Sequence, residues 1–180
     1  ACIFIDEGPL CIYREKNSKP ALMKDINRGR IYGGPLVILV NGLSASASEI
    51  VAASLQDYNR AVIVGGTTYG KASGQVVIPL DSTTAPKEQK VQTKVPDFYI
   101  KLTIEEFYHL DNKTHQLKGV TPDVKLEEPF FMDDYRESAY EFVLPCDSVV
   151  KKVVFTPLPA LPLNALQTKS AARTGKGAAF

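Results

Sequence analysis

Apolar residues in this chain fall into short blocks separated by polar, glycine-rich stretches. Residues 2–5 and 10–14 flank Gly8-Pro9 and predict two short strands or one bent strand. Residues 15–34 are rich in Lys, Asn, Asp, Arg and Gly and predict a loop. Pro35 to Val40 is a continuous apolar run closed by Asn41-Gly42, the pattern of a parallel strand covered on both faces. From Glu49 to Tyr58, residues Ile50, Val51, Ser54, Leu55 and Tyr58 recur at helical spacing. Ala61 to Gly65 is a second buried run. Strand, helix and strand in this order predict a βαβ unit with a right-handed crossover.

Beyond Gly65 a turn-rich loop runs to Gly74, and Gln75 to Leu80 predicts a strand. Residues 81–90 are polar. Phe98 to Leu110 predicts a long strand, with a turn at Asp111-Asn112-Lys113 and a returning strand through Leu117. That would make His109 and His115 surface residues of a hairpin. Residues 127–150 are acidic and aromatic with weak helical signals. From Thr156 onward the chain is rich in Pro, Ala and Leu, then basic, and predicts a helical or irregular tail.

Composition narrows the class. The chain has 180 residues, with 21 basic and 20 acidic side chains and a formal net charge of +1. That balance gives no electrostatic footprint for nucleic acid or an anionic membrane. No apolar run is long enough to span a bilayer. Cys2, Cys11 and Cys146 lie far apart and not at metal-ligand spacing, so no metal site is expected. The opening Cys2-Ile3-Phe4-Ile5 resembles the inside of a strand, and an N-terminal portion is expected upstream of it.

One segment carries candidate nucleophiles. Ser46, in Ser44-Ala-Ser-Ala-Ser48, stands where a buried strand gives way to a helix. Helix N-terminal N–H groups converge there and favour a developing oxyanion. Ser46-Ala-Ser-Glu49 is equally a capping box, with Ser46 as N-cap and Glu49 at N3. A nucleophilic serine needs a base. His109 and His115 are the only histidines, and nothing in their spacing favours a Ser–His–Asp site. A lysine base must be desolvated so as to be neutral near pH 7. Lys71 follows a buried strand and the loop Gly65-Gly-Thr-Thr-Tyr-Gly70, and can face the same sheet edge as Ser46. The same loop nearly matches a phosphate-binding P-loop. Ala72 lacks the Mg²⁺-binding hydroxyl, however, and a strand rather than a helix is expected next.

The segment from Gly34 to Gly65 closely resembles the signature stretch of the carboxy-terminal processing, or tail-specific, serine proteases. Thr68-Tyr-Gly-Lys-Ala-Ser-Gly-Gln75 resembles their lysine loop. Leu102 to Tyr108 and Lys118 to Val124 are also similar to family segments. The resemblance runs from about residue 3 to residue 150. It implies an α/β core of the ClpP/crotonase kind, with a mixed sheet. It implies Ser46 as nucleophile, Lys71 as general base 25 positions later, Gln75 orienting Lys71, and the Ala47 N–H as one oxyanion donor. It implies no cofactor, protein or peptide substrates held through their C-terminal segments, and a periplasmic or cell-envelope location. On this pattern residues 1–155 are the C-terminal part of the catalytic domain and 156–180 a tail. The family's PDZ domain and the Asn-Gly-Gly segment that gives the second oxyanion donor are not read in these 180 residues and are expected upstream of them. The family usually carries Glu-Pro or Glu-Arg before its Thr–aromatic–Gly-Lys; Gly66-Thr67 stand there in this chain.

Overall fold

A computed structural model describes residues 1–80, 98–128 and 133–175. The elements are β1 (Gly8–Glu15), β2 (Ala21–Asp25), β3 (Val37–Val40), α1 (Ala47–Asp57), β4 (Val62–Gly65), β5 (Ser73–Pro79), β6 (Tyr99–Tyr108), β7 (Val124–Lys125) and α2 (Leu163–Thr174). Two single 3₁₀ turns, Asp133–Tyr135 and Glu137–Ala139, precede α2.

The expected βαβ unit is present. β3 and β4 pair in parallel with Val37 opposite Val62 and Val40 opposite Gly65, and α1 joins them. β7 adds in parallel to the other side of β4. A separate antiparallel sheet has the order β2-β1-β6-β5. The parallel and antiparallel pairings therefore occupy two sheets rather than one mixed sheet.

α1 is held on the parallel sheet by small and apolar residues at helical spacing. Ala52, Ala53 and Leu55 are buried in a core with Ile5, Val40, Tyr58, Ile63 and Val120. Ser54 Oγ donates to the Leu10 carbonyl of β1 at 2.6 Å, and the Tyr58 hydroxyl donates to the Pro9 carbonyl at 3.0 Å. The helix thus spans both sheets. It stops at Asn59, whose φ of 52° is the left-handed conformation that ends helices. Gly65 has φ of 127°, and a Cβ there would lie 2.0 Å from the Val40 carbonyl oxygen. Only glycine lets the two strand ends approach this closely.

Several expectations are corrected. Residues 2–5 form turns rather than a strand. β2 lies inside the stretch read as a loop; its polar Lys24 and Asp25 masked the strand. β3 is not covered on both faces, since Val37 and Leu39 are 57% and 77% exposed. Among the described residues no strand returns after Asp111: β6 pairs with β1 and β5 instead, and residues 111–119 fold as turns. His115 consequently leaves the surface, and His109 is half-buried. His115 is 3% exposed with neither ring nitrogen hydrogen-bonded, and its ring meets His109 edge-on at 5.3 Å. The loop read at residues 81–90 lies outside the described residues. The helical reading of the tail is met by α2, and no helix among the described residues is long and apolar enough to cross a membrane.

Candidate active site

β3 ends at Val40, and six residues later the chain enters α1 through Ser46. Ser46 has φ 58° and ψ −118°, a conformation that non-glycine residues adopt only at a cost of about 1–3 kcal/mol. Such strain concentrates at strand-to-helix turns that present a nucleophile. Ser46 is half-buried, and Ala47 beside it is exposed as the first residue of the helix. The N–H of a first helical residue has no intrahelical acceptor, so it is available to an incoming oxygen.

The capping box read from the sequence is present, with Ser46 and Glu49 as its partners. Glu49 does considerably more than cap. Its side chain is fully buried. Oε2 accepts from the Ser46 N–H at 2.8 Å and from the Lys71 N–H at 2.9 Å. Oε1 accepts from the Gly70 N–H at 2.7 Å and from the Thr68 hydroxyl. One carboxylate therefore bridges the serine turn and the lysine loop. Burial pushes the Glu49 carboxyl above its ordinary range, while these four donors pull it back toward the charged form.

Residues 67–72 are held throughout. The Thr68 N–H donates to the Val120 carbonyl at 3.2 Å and the Tyr69 N–H to the Ser44 carbonyl at 3.0 Å. The Ala72 N–H donates to Gln116 Oε1 at 2.7 Å. The Thr67 and Thr68 carbonyls accept from Arg136, the Tyr69 carbonyl from the Glu137 N–H, and the Gly70 carbonyl from the Leu117 N–H. This removes the P-loop alternative. A phosphate cradle needs free N–H groups, and those of Gly70 and Lys71 are already spent on a buried carboxylate. A strand, β5, follows the loop where a P-loop needs a helix.

Lys71 is half-buried, and desolvation lowers its pKa, with the neighbouring Lys101 acting in the same sense and Glu137 and Glu49 opposing. Its ammonium donates to the Ser73 carbonyl at 2.7 Å. Among the described residues no hydrogen bond joins Lys71 Nζ to Ser46 Oγ. Gln75 is exposed on β5, just past a bulge between Gly74 and Gln75, and donates to Thr103 Oγ1 at 3.2 Å rather than to Lys71. The fold thus brings the Ser46 turn and the Lys71 loop onto one carboxylate and leaves Gln75 on β5, four residues beyond Lys71. Glu49 and Thr68 are the residues that sequence reasoning underrated. The helix-start pattern pointed to Glu49 only as a cap.

A model of peptidase family S41 matches residues 1–126. The chain is 31% identical over 147 residues to the tail-specific protease of Haemophilus influenzae, covering 82% of this chain and 20% of that protein. It is 34% identical over 127 residues to the carboxy-terminal-processing protease of Bartonella bacilliformis, covering 70% of this chain and 26% of that protein. Among solved structures, a photosystem II D1 C-terminal processing protease superposes with a TM-score of 0.54 at 28% identity, over 69% of this chain and 29% of that one. The chain spans about a fifth to a quarter of the length of these curated relatives.

Proposed function

Because this chain belongs to peptidase family S41, we propose that Ser46 and Lys71 are the nucleophile and general base of a serine endopeptidase that cuts proteins near their C-termini. The observation that carries this reading is the shared Glu49 carboxylate, which fixes the strained Ser46 backbone and the Lys71 backbone to a single oxygen. The relatives' names, tail-specific and carboxy-terminal-processing protease, supply the substrate class.

In this mechanism the Ser46 hydroxyl attacks the scissile carbonyl. Neutral Lys71 takes the serine proton and then gives it to the leaving amine, so that an acyl-enzyme forms and water later releases it. Desolvation of Lys71 favours the neutral form that a base requires. Its flexible stem lets Nζ swing from the Ser73 carbonyl to Ser46 Oγ. Gln75, two residues past Ser73, turns from Thr103 to hold it there. The Ala47 N–H donates to the oxyanion, aided by the α1 dipole. No cofactor or metal takes part in these steps. We assign residues 1–155 to the C-terminal part of the catalytic domain and 156–180 to a tail, and place the protein in the periplasm or cell envelope.

The test is hydrolysis of a peptide with an apolar C-terminus by the protein carrying its full catalytic domain. Ser46→Ala and Lys71→Ala should each abolish cleavage, a loss of about 10⁴-fold or more. Wild-type rates in either variant would overturn the assignment. One observation favours a second reading, a non-catalytic assembly module: the Lys71 ammonium already has a partner in Ser73. Under that reading the unsubstituted protein cleaves nothing and the two alanine variants change nothing.

A further inference from the structure

We propose that Arg136 and Glu128 are positioning residues for this reaction, an ion pair that locks the serine turn and the lysine loop in one fixed relation. The inference rests on the Ser46–Lys71 reading. Both residues lie beyond residue 126, where the family match ends.

The geometry is specific. Arg136 Nη1 donates to the Thr67 carbonyl at 2.6 Å and to the Thr68 carbonyl at 2.7 Å. Its Nη2 donates to Glu128 Oε2 at 2.9 Å, and its Nε to Asp133 Oδ1 at 3.1 Å. Glu128 Oε1 accepts from the Gly42 N–H at 2.6 Å. Gly42 stands four residues before Ser46, and Thr68 three before Lys71. The two side chains are only 13% and 19% exposed, so the pair is poorly screened by solvent. A planar guanidinium is suited to this task because it carries several donors in a rigid fork, which an ammonium cannot reproduce.

Position 66, just before the lysine loop, is a glycine. A Cβ on Gly66 would lie 2.3 Å from the Glu128 carboxyl group. The Glu128 carboxylate thus fills the space beside Gly66, and Arg136 comes with it against the Thr67 carbonyl. A carboxylate and its cation from another part of the chain thus pack against the start of the loop. Because Glu128 also holds Gly42, movement of either residue reaches both halves of the site.

The test compares the protein carrying its full catalytic domain with its Arg136→Met, Arg136→Lys, Glu128→Gln and exchanged Gly66→Glu/Glu128→Gly variants. Two quantities are read: the limiting rate and half-saturating concentration for labelling of Ser46 by a fluorophosphonate, and amide hydrogen exchange at Gly42 and residues 68–71. Arg136→Met should lower the limiting rate about 10²-fold with an unchanged half-saturating concentration. Its exchange at Gly42 and in the loop should rise about tenfold or more, while α1 stays protected. Arg136→Lys should recover little. Glu128→Gln should lose about tenfold, and the exchange variant should recover most of that loss. Should Arg136→Met fail to fold, Arg136→Lys and Glu128→Gln carry the test. Wild-type labelling with wild-type exchange in these variants would overturn the proposal. A wild-type chain that takes no label overturns the Ser46–Lys71 reading instead, and exchange then decides the coupling by itself.

Discussion

The lysine loop and the outer part of the β5–β6 hairpin invert the usual association of regular structure with rigidity. Residues 67–72 contain no helix or strand. Even so, every N–H from Thr68 to Ala72 and every carbonyl from Thr67 to Gly70 has a protein partner. The hairpin has regular pairing from Val76 opposite Leu102 to Pro79 opposite Tyr99. There Val77, Ile78, Tyr99, Ile100 and Leu102 remain exposed, so among the described residues the strands pair with each other and pack on little else. What holds a backbone is the supply of partners and burial, not its dihedral class. The loop draws its partners from Ser44, from α1, from residues 116–120 and from residues 136–137, and so is held without regular structure.

The sharpest way to break this contrast is to remove the carboxylate at its centre. Glu49→Ala orphans the Ser46, Gly70 and Lys71 N–H groups and the Thr68 hydroxyl at once. At about 1–3 kcal/mol for each buried unsatisfied group, the loss should reach at least about 4 kcal/mol in urea unfolding. A loss below about 1 kcal/mol would mean that the loop is held by something else.

The next effect is smaller and depends on pH. His115 lies behind the loop, and burial, followed by the charge of His109, pushes its pKa down to about 4 from an ordinary 6.5. Between these values the unfolded chain binds the proton that the folded chain excludes. Stability should therefore be lost as pH falls from 6.5 toward 4, by about 3 kcal/mol at most. His115→Phe should flatten this limb of the stability–pH curve. An unchanged limb would place the acid sensitivity in other groups.

The smallest effect belongs to the hairpin. Val77→Thr and Ile100→Thr, both at exposed positions, should change stability by less than about 0.5 kcal/mol in thermal unfolding. A loss of 2 kcal/mol or more at either position would show that the hairpin is covered there in solution, and the contrast would collapse.

The same contrast explains what could be read from the sequence. β3, α1 and β4 were legible because each carries its own periodicity, and their order fixes a βαβ unit. Ser46 and Lys71 were marked as candidates by their places after apolar runs and among small residues or glycines, and their roles came only from the family resemblance. β2 escaped notice because it alternates little and ends in Lys24-Asp25. The buried position of His115 was hidden by a turn-like sequence whose partners are β6 and α1. The contacts of Arg136 with Thr67 and of Glu128 with Gly42 join residues 69 and 86 positions apart. No local pattern encodes such pairings. Glu49 shows the limit most clearly: its spacing from Ser46 marks a helix start, while its bonds to Thr68, Gly70 and Lys71 depend on two strand ends meeting.

The central claim is that Lys71 activates Ser46. The most direct measurement is the pH dependence of fluorophosphonate labelling, with the modified residue located by mass spectrometry, in the wild type, Ser46→Ala and Lys71→Ala. The expected result is a single adduct on Ser46, absent from Ser46→Ala. Its rate should rise with pH through a midpoint below the ordinary lysine range, in keeping with the lowered pKa of Lys71, and that rise should be lost in Lys71→Ala. An adduct elsewhere, or a Lys71→Ala chain that labels at Ser46 with the wild-type profile, would contradict the account.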